Sequence, residues 1–495
     1  MKTLLKATFA TALITFASCK KDDDVPPNPP VTSVIEFKNH SELPVYLKLA
    51  PEFSDVKIYN ILSSSDVLPE SPEFVYGSMA DGAGLLKNDD GTFTMINNIE
   101  ADYSIASIKL DKTFKPVSGS YILSSVATGA TAQCSGSMIT PEEHGFGPLY
   151  LSGGEWGGAS KGIFVTDPYK DPNAADVAEM LPSMGQWSTE NAVAIGQDAF
   201  PGKTIVFIGD DNSNDEIPSG QLGMYVGEKG DLNGGKLYGL KVISPDITFE
   251  VDMLEGQTYQ AEFVEYTERT LEELDAEAKE KGIMGFSRLE DIDWRRGSAA
   301  NNREIYMAVT GRLKDGLVGR GTLSGRVYRV TLSENDPLKA TITCVLDGDI
   351  LDGKAAALHS PDNILVTENY AYIQEDPNGV ASLSSLKDHK ARLYQYNLNT
   401  GVLKDVLDTD QAAAAADGIG DAGRTWELTG MIDISDIVDV PESFILITQN
   451  HGWEKEEGDG FTDPKAVPPG SLDGREDVRV RKEGSMCFVI TGLER

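Results

Sequence analysis

Thr204-Ile-Val-Phe-Ile208, Leu222-Gly-Met-Tyr-Val226 and Leu237-Tyr-Gly-Leu-Lys-Val242 follow one another in quick succession. Each is a short run of β-branched, aromatic and aliphatic residues, and Gly, Asp and Asn fill the gaps, which is the pattern of strands joined by turns. A second group follows at Ile305-Tyr-Met-Ala-Val309, Gly325-Arg-Val-Tyr-Arg-Val330 and Thr341-Ile-Thr-Cys-Val345. Later come Ile364-Leu-Val366 with Ala371-Tyr-Ile373, then Arg392-Leu-Tyr-Gln-Tyr396 and Phe444-Ile-Leu-Ile447. Three or four neighbouring strands make a blade, and a four-stranded blade uses roughly 40 to 50 residues. The expected fold is therefore all-β, a β-propeller of about six blades, with an array of β-sandwiches as runner-up. No exact repeat is visible, so the rhythm of strands carries this reading. Propeller loops converge on a central channel, where residues far apart in sequence meet.

Helices are few and short. Thr270-Leu-Glu-Glu273 fits a capping box, and Gly282 is a stop, so 271–281 is expected to be helical. Asp171-Pro172 suits a helix start, and Gln411-Ala-Ala-Ala-Ala-Ala-Asp417 a third short helix.

The chain opens with Met1-Lys-Thr-Leu-Leu-Lys6, continues with a short apolar run to residue 18, and reaches Cys19 directly after Ala17-Ser18. The run is shorter than the roughly 20 residues of a spanning helix. The pattern resembles a bacterial lipoprotein signal, with 1–18 removed and Cys19 lipidated. Residues 19–34, charged and then proline-rich, form a tether that buries too little apolar surface to fold, and 35–495 is the folded domain. Lys20-Lys-Asp-Asp-Asp24 resembles the surface-export signal of lipoproteins from the Bacteroidetes lineage. The expected location is the outer membrane, held by the lipid alone and facing either the cell exterior or the periplasm. An ordinary secretory signal with an incidental cysteine is the alternative.

With 78 acidic against 43 basic side chains the net charge is -35. That argues against nucleic acid or an anionic membrane surface as partner and suits multivalent cations. Five histidines leave room for few zinc sites. There is no His-Glu-x-x-His, no nucleotide-binding glycine loop and no Gly-x-Ser-x-Gly elbow. Gly153-Gly154, Gly157-Gly158, Gly220 and Gly325 are expected in turns. Of the cysteines after Cys19, Cys344 and Cys487 sit inside apolar runs and read as buried small hydrophobes. Cys134 precedes Ser-Gly and reads as a loop thiol able to hold a metal or to react.

Phe286-Ser-Arg-Leu-Glu-Asp-Ile-Asp-Trp294 places Glu290, Asp291 and Asp293 between aromatic anchors, after the 271–281 helix and before the strand Glu304–Thr310. Clustered carboxylates at a rigid sheet rim suit a hard cation, because without one they repel or take up protons. A solvated acidic turn is the bland alternative. Asn97-Asn-Ile-Glu100, Gly153-Gly-Glu155 and Thr189-Glu-Asn191 each put a glutamate at a strand border.

Taken in order, these segments resemble the PhoX-type alkaline phosphatases, a family of calcium- and iron-dependent β-propeller enzymes. Asn97-Asn-Ile-Glu100 is similar to its Asn-His-Glu segment, with the histidine replaced. Cys134-Ser-Gly136 and Tyr150-Leu-Ser-Gly-Gly-Glu155 resemble its Cys-x-Gly-Gly and Trp-Leu-Thr-Cys-Glu-Glu segments, with Gly153 and Gly154 replacing a cysteine and a glutamate. Trp187-Ser-Thr-Glu190 resembles Phe-x-His-Glu, again without the histidine. Phe207-Ile-Gly-Asp-Asp211 and Arg288-Leu-Glu-Asp-Ile-Asp-Trp294 are similar to Tyr-Thr-Gly-Asp-Asp and Arg-Pro-Glu-Asp-Ile-Glu-Trp. Pro361-Asp-Asn-Ile364 with Ile373-Gln-Glu-Asp376, and Glu427-Leu-Thr-Gly430 with Thr448-Gln-Asn-His-Gly452, match the remaining segments.

The resemblance implies Cys134 as an iron ligand and Glu100, Glu155, Glu190, Glu290 and Glu427 as metal ligands, with Asp211, Asp291, Asp362 and Glu375 as further candidates for calcium or its surroundings. Thiolate suits the softer Fe3+, whereas Ca2+ takes oxygen donors only. Arg288 and Arg424, near the acidic segments, are candidates to pair with substrate phosphate oxygens. The implied function is an extracytoplasmic, monomeric, metal-dependent phosphomonoesterase acting on small phosphate esters, with phosphodiesters as a further candidate substrate. The replaced histidines favour an alternative, a noncatalytic calcium-binding surface propeller for a glycan or protein partner. A lactonase or esterase on the same scaffold is a weaker third reading.

Overall fold

The computed structural model describes residues 35–377, 389–455, 460–474 and 482–495. The expected signal, Cys19 and the tether lie outside them. Six antiparallel blades surround a channel. Blade one is Ala80–Lys87, Phe93–Ile99, Ser104–Leu110 and Pro116–Leu123, and blade two is Thr131–Ile139, Leu149–Gly157, Gly162–Thr166 and Glu179–Met180. Blade three is Thr189–Ala194, Lys203–Asp210, Leu222–Glu228 and Lys236–Val242; blade four is Leu289–Trp294, Glu304–Val309, Arg326–Ser333 and Asp336–Asp347. Thr258–Glu265 pairs with the outer strands of both, joining blades three and four into one sheet.

The N-terminal end of the domain completes the last two blades. Leu47–Leu49 adds to the outside of blade five, after Pro361–Val366, Tyr370–Glu375, Arg392–Asn397 and Leu403–Thr409. Lys57–Ser63 is the outer strand of blade six, after Glu427–Asp433, Ser443–Glu454 and Glu483–Thr491. Pairing the first strands with the last locks the ring and covers edges that would otherwise be open. The innermost strands touch in cyclic order, from blade one through six and back to one.

Blades pack face to face, so inner strands are buried on both sides. That is why Thr189–Ala194 and Leu289–Trp294 are buried along their whole lengths and why the middle strands of the blades read as continuous apolar runs instead of alternation. The apolar clusters lie mainly between neighbouring blades: Ala83, Leu85, Ile445 and Ile447 meet between blades one and six, and Leu151, Ile163, Val206 and Ile208 between two and three.

The helices fall where expected, with one difference in capping. Leu271–Lys281 is an α-helix ended by Gly282 at φ 68°, the left-handed conformation that glycine adopts without strain. Thr270 does not close a capping box: its hydroxyl donates to the Glu273 carboxylate (2.6 Å) and caps no backbone N–H. Pro172–Ala174 is a single 3-10 turn capped by Asp171, and Gln411–Ala416 is helical.

Two expectations about loops need correction. Cys134 lies within the strand Thr131–Ile139, and Gly153 and Gly154 lie within Leu149–Gly157. A Cβ on Gly153 would overlap the carbonyl oxygens of Thr189 and Glu190 in the next blade. This glycine serves a close approach of backbones, not a turn.

Candidate metal centre

Every innermost strand carries the same irregularity. In each blade two consecutive residues face a single residue on the second strand, the arrangement of a β-bulge. The bulged pairs are Asp81-Gly82, Cys134-Ser135, Glu190-Asn191, Glu290-Asp291, Asp362-Asn363 and Gly430-Met431. The residues opposite are Asn98, Gly153, Gly209, Ala308, Gln374 and Leu446. They also serve the neighbouring blade: Asn98 Nδ2 donates to Cys134 O (2.6 Å), and a side chain on Gly153 or Gly209 would strike the next bulge.

The first member of each pair forms a ring: Asp81, Cys134, Glu190, Glu290, Asp362 and, at the sixth position, Gly430. Two residues beyond each opposing residue, on the same strand face, stand Glu100, Glu155, Asp211, Thr310, Asp376 and Thr448. Two acid-rich rings thus arise from one repeated register. Ligand atoms of Asp81, Glu100 and Cys134 lie within 4.8 Å of one another, as do those of Cys134, Glu155 and Glu190, those of Glu190, Glu290 and Asp362, and those of Asp376, Glu427 and His451.

These donors are buried and held in place. Glu100 accepts from Trp156 Nε1 (2.7 Å) and Gln449 Nε2 (2.8 Å), Glu190 from the Ser135 N–H (3.2 Å), and Asp81 from the Thr429 hydroxyl. The Cys134 thiol lies 2.8 Å from Glu155 Oε2. Burial, followed by repulsion from neighbouring carboxylates, pushes Asp81, Glu155, Glu190 and Asp362 well above the usual carboxylate range. Burial likewise raises Glu427 and Glu290, the latter against the opposing charge of Arg288. Burial and then Glu155 raise the Cys134 thiol. So many buried acids at such spacing, with a thiol among them, form a donor set that fits cations and that protons otherwise have to neutralise.

Arg288 enters from the side, at φ 64° in the left-handed region. Its Nε and Nη2 grip both Asp211 oxygens (2.9 and 3.1 Å), and Nη2 lies 2.5 Å from Glu290. Arg424 stays at the rim, half exposed, 2.8 Å from Glu483. Three candidates lie outside these four donor groups, Asp211 among them, its two oxygens held by Arg288. Asp291 is the second member of its pair and turns the other way, accepting from Asn191 Nδ2, Ile364 N (3.1 Å) and Ile292 N (2.7 Å). Glu375 is fully occupied by His389 (2.8 Å), the His359 N–H (2.7 Å) and the Arg392 N–H (3.0 Å); its neighbour Asp376 takes the ring position.

Asp81, Asp376 and His451 were missed as donors. An acid or cysteine, then a small or polar residue, opens five inner strands: Ala80-Asp-Gly-Ala83, Gln133-Cys-Ser-Gly136, Thr189-Glu-Asn-Ala192, Leu289-Glu-Asp-Ile292 and Pro361-Asp-Asn-Ile364. That degenerate repeat was the available signal. A cavity of about 910 Å³ is lined by residues that follow the bulges on the inner strands, Ala83, Leu85, Met138, Val193, Val366 and Ile432 among others, together with Asn191, Asp291 and Asp293.

The fold has a solved relative. The structure of PhoX from Pseudomonas fluorescens in complex with vanadate, a transition state analogue, superposes with a TM-score of 0.62 at 12% identity, covering 90% of this chain and 96% of that one. The PQQ-bound aldose sugar dehydrogenase from Streptomyces coelicolor aligns more loosely, with a TM-score of 0.32 at 10% identity over 88% of this chain and 98% of that one. No curated protein matches the chain. The profile of the family described as alkaline phosphatase PhoX matches residues 163–437, more than half of the sequence, and the chain therefore belongs to the PhoX alkaline phosphatase family.

Proposed function

We propose that this protein is an extracytoplasmic, lipid-anchored, metal-dependent phosphatase that releases phosphate from small phosphate monoesters, with phosphodiesters as a further substrate class. The observation that carries the reading is the double ring of buried acids around Cys134, in a chain of the PhoX family. On this reading Cys134, Glu155 and Glu190 hold iron, the softer ion, while Glu190, Glu290 and Asp362 offer oxygen donors suited to calcium. Such cations neutralise a phosphate ester and stabilise the charge that develops during in-line displacement.

The chain's own residues orient what binds there. Trp156 and Gln449 fix both Glu100 oxygens, so this carboxylate is held in one position. Asp211 and Glu290 hold the Arg288 guanidinium at the ring; its Nη1 edge is the part suited to a phosphate oxygen. Arg424, paired with Glu483, is assigned a rim role in drawing in anionic substrate. The vanadate bound by the Pseudomonas protein mimics a phosphoryl transition state, which is consistent with this substrate class.

The test is hydrolysis of p-nitrophenyl phosphate and bis-p-nitrophenyl phosphate by protein lacking residues 1–19, loaded with calcium and iron, before and after chelation. Monoester hydrolysis that chelation abolishes and metal restores is expected. Fully metallated protein without activity would overturn the proposal in favour of a binding propeller.

A further inference from the structure

One donor group contains an imidazole. Asp376 follows the second strand of blade five, and Glu427 and His451 come from the first two strands of blade six; their ligand atoms lie within 4.8 Å. His451 is buried, 3% exposed. Its Nδ1 lies 2.8 Å from Glu483 Oε2. Its Nε2 is 3.8 Å from Glu427, beyond hydrogen-bond reach. Glu483 is itself tied down by the Gly452 N–H (3.0 Å) and by Arg424 Nη1 (2.8 Å).

The order of these contacts sets the imidazole's chemistry. A carboxylate facing Arg424 can only accept, so the proton of a neutral His451 sits on Nδ1 and Nε2, 3.8 Å from Glu427, carries the lone pair. This is the carboxylate–histidine arrangement that orients a metal-ligating ring and raises its basicity. One nitrogen and two carboxylates differ from both the thiolate group and the all-oxygen group Glu190, Glu290 and Asp362. Calcium takes oxygen ligands only, whereas imidazole suits borderline divalent ions.

Resting on the reading of the rings as a metal centre, we propose that Asp376, Glu427 and His451 form a nitrogen-containing subsite for a divalent cation of the manganese, ferrous or zinc class. Glu483 and Arg424 act as positioning residues for His451. The competing arrangement is a doubly protonated His451 bridging Glu427 and Glu483 with no cation between.

The test uses the full chain, stripped of metal and reloaded with Mn2+, read by pulsed EPR without substrate. Expected is one Mn2+ per chain with 14N modulation, which becomes a 15N signal when histidine is 15N-labelled. His451→Gln should lose that modulation and one equivalent of Mn2+. Glu483→Gln should keep the modulation at saturation but weaken the site by roughly 10- to 100-fold. Excess Ca2+ should displace the remaining Mn2+ before the nitrogen-coupled ion. Absence of nitrogen coupling in the saturated wild type, a coupling that ignores histidine labelling, or its survival in His451→Gln would overturn the subsite. The labelling experiment needs no variant, so it decides even if His451→Gln fails to fold. Nitrogen coupling without phosphate-ester hydrolysis would overturn the phosphatase reading alone, and hydrolysis without the coupling would overturn the subsite alone.

Discussion

Stripping cations from the rings should make the protein less stable as pH rises. Two ionised carboxylates at 4.8 Å repel by about 3.5 kcal/mol at an effective dielectric near 20. Glu190, Glu290 and Asp362 make three such pairs, so keeping all ionised costs roughly 10 kcal/mol before Arg288 offsets part of it, comparable with the whole stability of a domain. Protons therefore replace the lost cations, and the folded pKa values lie above the unfolded ones. The sign follows directly: a carboxyl raised on folding stabilises fully below its unfolded pKa and loses that contribution as pH climbs through its folded value.

Asp291 provides a scale, since burial raises it to about 7. Between pH 5.5 and 7 it alone loses about 2 kcal/mol, or roughly 2 °C for a domain of about 460 residues. Asp81, Glu155, Glu190, Asp362 and Glu427 shift in the same direction. Scanning calorimetry of chelated protein at pH 5.5, 7.0 and 8.5 should show a falling midpoint, with a drop larger than that of metal-loaded protein, in which Asp291 and Glu250 still titrate but the donor groups do not. A metal-free midpoint that is flat or rises over this window would refute the reasoning.

Arg288→Met should destabilise the fold by about 3 to 5 kcal/mol in denaturant titrations, because Asp211 and Glu290 lose their buried counter-charge. Glu250, raised to about 7 by burial against the Ser287 and Thr322 N–H groups (2.8 and 3.1 Å), lies away from the donor groups. Relative to wild type, Glu250→Gln should gain about 3 kcal/mol between pH 4.5 and pH 8, since the neutral amide has no proton to lose; unfolding at those two pH values checks it. Thr270→Ala should change stability by less than about 0.5 kcal/mol, because its side chain caps no N–H, whereas Gly282→Ala should cost about 1 kcal/mol for its positive φ; thermal melts separate the two. Gly153→Ala should displace the Glu190 backbone and lower bound metal per chain, measured by elemental analysis, with the far-ultraviolet spectrum unchanged.

The propeller was legible because the middle strands of each blade, buried on both faces, read as short apolar runs, and because turns punctuate them. The bulges were not. A bulge interrupts alternation, so Cys134 read as a loop residue although Gln133 and Gly136 pair on either side of it. Asp81 escaped notice because a lone Asp-Gly resembles a turn, and its meaning depends on the Thr429 hydroxyl, 348 positions away. Glu375 and Asp376 are adjacent acids of opposite fate. Only the pairing of Gln374 across the bulge decides that Asp376, two positions on, faces the donor group, while His389 occupies Glu375.

The sixth bulge stands apart. Gly430, at φ 53°, occupies the place where the other five blades present an acid or a thiol, and a Cβ there would run into the Asp81 carbonyl. Blade six instead reaches the centre with Glu427, on the same strand but three residues earlier. The circle thus has a seam, and the seam lies at the junction where the last blade meets the first. An interior assembled from interchangeable sectors can be retuned one sector at a time, a donor swapped or moved along its strand while the backbone keeps its register. The gap at Gly430 gives an otherwise repetitive ring a fixed orientation, and with it a defined order of unlike donor groups around the axis.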